Sequence, residues 1–182
     1  GGGFGGVGRR LAEVLAMFRT RIVATDWCPF DRPDHVEALW PAKRLDDLLQ
    51  FAEIVILAAP LNEQTRGMIN AQALAQMQPG SILVNIARGP LVVEKDLVEA
   101  LETGHLSGAA VDVTEHEPLD PSSRLWDLPG VVITPHVGGQ AWWRQDRVTD
   151  FFCDNLQRLQ QGLPLHNLVD KQLGFPLRVP GD

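Results

Sequence analysis

The sequence predicts an α/β fold with a doubly wound parallel sheet, and three observations carry that prediction. Several apolar runs have the length of strands and lack the alternation of a half-exposed sheet. Segments with apolar residues at helical spacing separate these runs. The chain has 182 residues, of which 45% are hydrophobic, so it can bury one sizeable core. Strands that are apolar throughout and alternate with helices indicate a parallel sheet covered on both faces.

The predicted elements follow one another in a regular order. We expect helices at residues 9–18, 46–51, 71–77, 94–102 and 140–161, and strands at residues 21–25, 54–59, 81–86, 108–113 and 131–134. Pro60 ends the second strand because proline lacks a backbone donor. Asn70 is a typical helix N-cap, and Gly104 suits a helix C-cap.

A glycine-rich loop opens the chain, where Gly3, Gly5 and Gly8 form the pattern G-x-G-x-x-G directly before the first helix. We expect Gly3 to permit a tight turn, Gly5 to let a pyrophosphate approach the backbone, and Gly8 to let the helix pack closely. The helix N-terminus adds N–H groups and a partial positive charge for the phosphates. Asp26 ends the next strand, 18 residues past Gly8, where a dinucleotide-binding fold places an acid for the adenosine ribose.

These features predict a Rossmann-type sheet with one irregularity. The glycine pattern should follow a strand, and only two glycines precede it, so the sheet is expected to lack its first strand. The alternative for Asp26 is a turn residue before Pro29. Loop, helix, strand and acid in this order favour the dinucleotide-binding interpretation.

Composition and charge exclude several classes of function. The net charge of −7 and the absence of a Lys/Arg run argue against a nucleic-acid partner. Cys28 and Cys153 lack C-x-x-C spacing and are expected to be reduced thiols rather than a disulfide or a zinc site. No apolar run is long enough to cross a membrane. We therefore expect a cytoplasmic protein without a metal or a membrane partner.

Polar residues of chemical interest follow the apolar runs. Ligands of parallel sheets bind at the carboxyl ends of the strands, so these residues are expected to converge on one crevice. They are Asp26, Asn62, Arg88, Asp112 and His136.

The chemistry of this set suits a small carboxylic acid. The guanidinium fork of Arg88 could hold a carboxylate bidentately, although an isolated arginine there could also be a surface residue. His136 precedes glycines that allow close ligand approach, and the alternative is a hydrogen-bonded loop histidine. Glu115 or Glu117 could orient His136 and favour its protonated form, and spacing alone does not choose between them. A metal at this Glu-His-Glu run lacks a matching ligand set.

The motifs in this order resemble the D-isomer-specific 2-hydroxyacid dehydrogenase family over essentially the whole chain. The resemblance rests on the glycine loop, Asp26, Ala59-Pro60-Leu61-Asn62 with Thr65, Asn85-Ile86-Ala87-Arg88-Gly89, Gly108-Ala109-Ala110-Val111-Asp112-Val113 with Glu117-Pro118-Leu119, and Thr134-Pro135-His136-Val137-Gly138-Gly139. It implies an enzyme that interconverts a D-2-hydroxy acid and its 2-oxo acid, as a glyoxylate or hydroxypyruvate reductase does.

The resemblance also implies roles for single residues. Arg88 would bind the substrate carboxylate and carbonyl oxygen, and His136 would be the acid/base that accompanies hydride transfer with the nicotinamide. Glu117, which directly precedes a proline, would be the partner of His136, so the motif favours Glu117 over Glu115. The implied cofactor-binding residues are Gly3, Gly5, Gly6, Val7, Gly8, Asp26, Pro60, Asn62, Thr65, Ala87, Arg88, Asp112, His136, Gly138 and Gly139.

Asp26 is followed by Trp27, and no arginine stands there to receive a 2′-phosphate, which favours NAD over NADP. Family members carry a substrate domain before the nucleotide domain. We expect residues 1–139 to be the NAD-binding domain and residues 140–182 to be a helix and tail that pack against the substrate domain.

Several expectations follow from the substrate domain that family members carry before the nucleotide domain. The chain would be the cofactor-binding part of a longer enzyme, inactive alone, and a homodimer through its nucleotide-binding domain. Trp142 and Trp143 could shape the acyl pocket or serve in packing. The alternatives are a transcriptional corepressor that senses NAD(H), and a dehydrogenase of another small anion such as phosphite.

Overall fold

The structure is a computed structural model that describes residues 3–28, 31–171 and 174–176. The chain divides into two compact units, residues 1–136 and 137–182. The division lies close to the boundary after residue 139 that was expected from the sequence.

The first unit contains two parallel sheets. Strand β1 (Val23–Asp26) pairs with β2 (Ala38–Pro41) in one sheet. The second sheet has the strand order β3 (Ile54–Leu57), β4 (Ile82–Asn85), β5 (Gly108–Val111), β6 (Val131–Ile133). All of these pairs are parallel, so the predicted α/β class with a parallel sheet is confirmed. Strand β2 was not predicted, since its four residues include no β-branched side chain and it ends at a proline.

In the described part of the first unit, one helix precedes β1 and the other helices lie between consecutive strands. They are α1 (Gly6–Ala16), α2 (Leu45–Phe51), α3 (Ala71–Gln76) and α4 (Glu94–Glu102), with short 3-10 helices at Ala42–Arg44, Gly89–Leu91 and Arg124–Trp126. Asn70 caps α3 as predicted, because its side chain accepts a hydrogen bond from the N–H of Ala73 at 3.1 Å. Gly104 follows α4 with a φ of +73°, the left-handed conformation that glycine adopts at helix ends.

The two sheets have unpaired inner edges within the described residues. There β1 pairs only with β2, and β3 pairs only with β4. Gly3 lies between the carboxyl ends of β1 and β3. Its N–H donates to the carbonyl of Thr25 at 3.0 Å, and a Cβ added to Gly3 would lie 2.7 Å from the Cα of Ala59. The described structure therefore lacks a strand between β1 and β3, as the sequence predicted.

The core lies on one side of the larger sheet. Leu57 and Leu83 are fully buried. They pack in a cluster with residues of the three helices that follow β1, among them Leu48, Leu49, Leu74 and Leu97. On the opposite side Ile54, Ile82 and Val132 are 56%, 37% and 60% exposed. The apolar runs led us to expect two covered faces, and among the described residues this face instead stays partly open.

The described part of the second unit contains one long helix and two short strands. Helix α5 (Arg144–Gln160) begins four residues later than predicted, because two hydrogen-bonded turns occupy residues 137–144. Strands β7 (Val169–Asp170) and β8 (Phe175–Pro176) pair antiparallel. The apolar stripe of α5 faces solvent, with Phe152 65% exposed and Leu159 63% exposed. Over the described ranges, none of the helices combines the length and apolar character needed to cross a bilayer.

Candidate active site

The glycine loop divides into packed and open positions. Gly3 has a φ of +96°, and a Cβ on Gly8 would lie 2.3 Å from the carbonyl oxygen of Gly3, so both positions exclude a side chain. A Cβ on Gly5 or Gly6 would meet no atom within 4 Å. The packed glycines shape the loop, whereas the open ones, with Val7 63% exposed beside them, leave room for a ligand above it.

The start of α1 suits a phosphate. The helix begins at Gly6 with no side-chain cap and no acidic residue in its first turn. Its first N–H groups therefore face the open side of the glycine loop with the positive end of the helix dipole. The glycine spacing and this uncapped end together fit the pyrophosphate of a dinucleotide.

Asp26 connects β1 to the glycine loop. Its Oδ2 accepts a hydrogen bond from the N–H of Phe4 at 2.6 Å, and its Oδ1 accepts one from the N–H of Cys28 at 2.9 Å. Each carboxylate oxygen has a second lone pair, so Asp26 can still accept from ribose hydroxyls. Its position next to the loop fits the adenosine end of a dinucleotide.

A tight turn follows β3. The hydroxyl of Thr65 donates to the carbonyl of Pro60 at 2.7 Å. Asn62 Oδ1 accepts from the N–H groups of Gln64 and Thr65, both at 3.0 Å. The three residues expected to contact a cofactor here thus form one connected turn at the carboxyl end of the strand.

Arg88 follows β4 and points its charge outward. Its backbone is extended, its side chain is exposed, and Nη1 donates to the carbonyl of Ala87 at 2.6 Å. Within the ranges that the structure describes, Arg88 forms no ion pair with a carboxylate of the chain. Its guanidinium can therefore bind an external anion.

His136 and Glu117 are joined by a hydrogen bond. The Nδ1 of His136 lies 2.8 Å from Oε2 of Glu117, and the side chains are 48% and 40% exposed. A carboxylate at Nδ1 orients the imidazole and places a proton on that nitrogen, which leaves Nε2 to exchange a proton with a ligand. The other oxygen of Glu117 accepts from the N–H of Thr114 at 3.3 Å.

Glu115 binds the start of helix α4 rather than the His136 ring. Its Oε2 accepts from the N–H of Glu94 at 3.0 Å, at the first residue of α4. Glu94 in turn accepts from the hydroxyl of Ser123 at 2.8 Å. Glu115 thus caps a helix N-terminus, where a negative charge is favourable. Spacing left the partner of His136 open, and the geometry places Glu117 against the ring.

The backbone of His136 is held in an unusual conformation. Its φ is +55°, a left-handed value that residues with a side chain seldom adopt. Its N–H donates to the carbonyl of Asp112 at 2.8 Å and to the carbonyl of Thr134 at 3.0 Å. The carboxylate of Asp112, itself buried, accepts from the Thr134 hydroxyl at 2.5 Å. These bonds join the ends of β5 and β6 beneath the imidazole.

The arginine loop touches the loop that carries Glu117. A Cβ on Gly89 would lie 1.7 Å from the carbonyl oxygen of Thr114, so the two backbones are in direct contact. The N–H of Asp112 also donates to the carbonyl of Asn85 at 3.0 Å. Arg88, Asp112, Glu117 and His136 are therefore built on the ends of three neighbouring strands.

Four of the residues singled out in the sequence belong to the second unit. Gly138 and Gly139 belong to the second unit, and their contact with a cofactor stays a prediction. Trp142 and Trp143 belong there too and are 91% and 44% exposed, with the guanidinium of Arg147 5.0 Å from the Trp143 ring. Among the described residues no group of three His, Cys, Asp or Glu side chains could hold a metal ion.

Two other carboxylates of the first unit have lowered pKa values. In the loop after Glu117, hydrogen bonds from the hydroxyl and the N–H of Ser122 hold the pKa of Asp120 below its ordinary value. Between β1 and β2, a side-chain hydrogen bond from Arg21 lowers the pKa of Glu37.

Sequence reasoning missed two polar residues of the site. Asn85 and Thr134 belong to the motifs that carry the family resemblance, but neither residue was assigned a role from the sequence. Asn85 is 1% exposed at the end of an apolar strand, and a polar residue ending such a run is the signal that could have identified it.

Comparison with known proteins identifies the family of the chain. Residues 2–138 match the family model described as the NAD-binding domain of D-isomer-specific 2-hydroxyacid dehydrogenases. The chain therefore belongs to the D-isomer-specific 2-hydroxyacid dehydrogenase family.

Individual relatives point the same way. The (S)-sulfolactate dehydrogenase of Chromohalobacter salexigens is 41% identical over 160 residues, which cover 86% of this chain and 50% of that protein. A D-isomer-specific 2-hydroxyacid dehydrogenase of Xanthobacter autotrophicus Py2, solved with NADPH and MES, superposes with a TM-score of 0.90 at 34% identity, covering 96% of this chain and 71% of that one.

A third relative is an NADPH-dependent glyoxylate/hydroxypyruvate reductase of Sinorhizobium meliloti, solved with NADP and sulfate. It superposes with a TM-score of 0.87 at 33% identity, covering 96% of this chain and 55% of that one. The chain spans about half the length of the curated relatives it matches.

Proposed function

We propose that this chain carries the cofactor site and the catalytic arginine, glutamate and histidine of an NAD-dependent enzyme that interconverts a D-2-hydroxy acid and its 2-oxo acid. The observation that carries the proposal is the pair of His136 and Glu117 at the strand ends that also bear Arg88. A histidine fixed at Nδ1 by a carboxylate is suited to acid/base work at Nε2. An exposed arginine without a carboxylate partner in the described chain is suited to an acid substrate.

The reaction divides between cofactor and protein. The nicotinamide cofactor supplies the hydride when it is bound. Arg88 binds the substrate carboxylate and orients the carbonyl group. His136 donates the proton from Nε2 to the keto oxygen during reduction and removes it from the hydroxyl during oxidation. Glu117 keeps the imidazole in position and stabilises its positive charge before the proton leaves.

We propose NAD rather than NADP as the cofactor, on the basis of Asp26. Its carboxylate beside the glycine loop would accept from the ribose hydroxyls and repel a 2′-phosphate. The nearby arginines are engaged elsewhere. Arg9 pairs with Asp31 at 3.5 Å, and Arg32 donates to the carbonyl of Val36. Both structural relatives named above were solved with NADPH or NADP, so the affinities of this chain for NADH and NADPH have to be compared directly.

The proposed substrate follows from the chemistry of Arg88 and of the pair of His136 and Glu117. A 2-oxo acid places a carboxylate for Arg88 next to a carbonyl oxygen for His136. The relatives include a sulfolactate dehydrogenase and a glyoxylate/hydroxypyruvate reductase. We propose a small acid of this kind, and we expect the 182-residue chain by itself to bind the cofactor without turnover.

A substrate panel tests the proposal. The chain is assayed alone and fused behind the N-terminal half of the sulfolactate dehydrogenase relative, with NADH or NADPH and glyoxylate, hydroxypyruvate, pyruvate or sulfopyruvate. Consumption of NADH by the fused protein with at least one acid is expected. Tight NADH binding without turnover in both proteins would instead favour a sensor, and oxidation of phosphite with NAD⁺ would favour a dehydrogenase of another anion.

A further inference from the structure

Asn85 is a polar residue inside the apolar sheet. It ends β4 and is 1% exposed. Its neighbours in register are Leu57 of β3 and Val111 of β5, which are 0% and 4% exposed. Burying an amide among aliphatic side chains costs free energy unless its donor and acceptor are both paired. The partners of this amide therefore indicate why a polar residue stands here.

Both ends of the amide bind the backbone of the arginine loop. Asn85 Nδ2 donates to the carbonyl of Arg88 at 3.0 Å, and Asn85 Oδ1 accepts from the N–H of Ala87 at 3.1 Å. The loop thus closes around a single side chain. The main chain at Arg88 is extended, and its guanidinium lies outside the core.

The loop is also confined from the other side. Gly89 is buried against the carbonyl of Thr114, where a Cβ would be 1.7 Å from the oxygen. The carbonyl of Arg88 accepts a second hydrogen bond from the N–H of Leu91 at 3.2 Å. Asn85 beneath the loop and Thr114 beside it leave the backbone of Arg88 little freedom to move.

We propose that Asn85 is a positioning residue that sets the place and direction of Arg88 toward the carboxylate of the substrate. This inference rests on the function proposed above. Asn85 touches neither substrate nor cofactor and acts through the backbone of residues 87 and 88. A displacement of about 1 Å in a group that orients a substrate can cost roughly 100-fold in rate, so a loop held by two specific bonds matters for turnover.

The substitution Asn85→Asp tests this role. Aspartate keeps an acceptor for Ala87 but loses the donor to the Arg88 carbonyl and sets an oxygen against it. In the fused protein we expect KM for the 2-oxo acid to rise roughly 10- to 100-fold, with a smaller fall in kcat and an unchanged Kd for NADH. Asn70→Asp is the matched control, because the Asn70 side chain only accepts a bond from Ala73 and aspartate caps helices equally well.

If Asn85→Asp and Asn70→Asp have equal kinetics, Asn85 does not position Arg88. A loss of NADH binding in Asn85→Asp that parallels its rise in KM would also overturn the role. Should Asn85→Asp not fold, Asn85→Ala replaces it without introducing a buried charge. Amide hydrogen exchange at Ala87 gives a second readout that needs no activity: it should accelerate in Asn85→Ala, and unchanged exchange would overturn the proposal. If the fused wild-type protein is inactive toward every 2-oxo acid, the proposed function is wrong, and the exchange result alone then decides whether Asn85 holds the loop.

Discussion

Glu117 Oε2 lies 2.8 Å from His136 Nδ1, although the two residues belong to loops that follow different strands. His136 adopts a left-handed backbone in this pair, with a φ of +55°. Such a conformation costs about 1–3 kcal/mol for a residue with a side chain. The bonds from the His136 N–H to Asp112 and Thr134 help to offset that cost and aim the ring at Glu117.

Replacing His136 by alanine should abolish turnover and leave cofactor binding intact. General acid/base catalysis contributes about 100- to 10,000-fold, so kcat should fall by an amount in this range. Steady-state kinetics in the fused protein and fluorescence titration with NADH measure the two effects. His116→Ala serves as the control, since the exposed His116 accepts a bond only through its carbonyl. Equal losses of turnover and NADH binding would show that His136 is not the acid/base.

The neighbouring glutamates should separate catalysis from stability. Glu117→Gln removes the charge that orients and stabilises the imidazole, and we expect kcat to fall roughly 10- to 100-fold. Glu115→Gln removes a charge at the start of α4, so it should lower the free energy of unfolding by at most about 1 kcal/mol and leave kcat unchanged. Steady-state kinetics and urea unfolding of both variants distinguish the catalytic role of Glu117 from the stabilising role of Glu115. The assignment fails if Glu115→Gln is the variant that loses turnover.

The two glutamates also show how far the sequence alone could reach. The glycine loop was predictable because its demands are local: Gly3 needs a positive φ, and Gly8 needs space. The partner of His136 was not predictable from spacing, because Glu115 and Glu117 are two residues apart. Their directions depend on contacts of the loop with Glu94 and Thr114, which are distant in sequence or made by the backbone. Strand β2 was missed because Ala38–Pro41 has no β-branched residue and ends at a proline, whereas the predicted strands lie in apolar runs rich in valine, isoleucine or alanine.

Alanine substitutions at two glycines of the same motif should affect different properties, NADH binding at Gly5 and stability at Gly3. Gly5→Ala adds a methyl group in open space, so stability should be unchanged while Kd for NADH rises roughly tenfold, because the methyl occupies the path of the pyrophosphate. Gly3→Ala meets the backbone of Ala59 at a φ of +96° and should cost about 1–3 kcal/mol of unfolding free energy. Urea unfolding and NADH titration test both variants. Unchanged NADH binding in Gly5→Ala would place the cofactor elsewhere.

Asp26 should control the choice of cofactor. Asp26→Asn keeps an acceptor for the loop but removes the charge that repels a 2′-phosphate. The ratio of kcat/KM for NADPH to that for NADH should rise at least roughly tenfold. The exposed Asp127, which lies after Arg124–Trp126, provides the matched control Asp127→Asn, expected to leave the ratio unchanged. A wild-type preference for NADPH, or an unchanged ratio in Asp26→Asn, would contradict the proposed use of NAD.

The hydroxyl of Thr134 should stabilise the strand ends beneath His136. Its bond to Asp112 satisfies a carboxylate that is only 8% exposed, at a distance of 2.5 Å. Thr134→Val keeps the shape and deletes the donor, and we expect a loss of roughly 1–2 kcal/mol in the free energy of unfolding. Thr134→Ser keeps the donor and should lose clearly less. Urea unfolding of the three proteins measures the difference. If Thr134→Val is destabilised no more than Thr134→Ser, the hydrogen bond to Asp112 has no part in holding the two strand ends together.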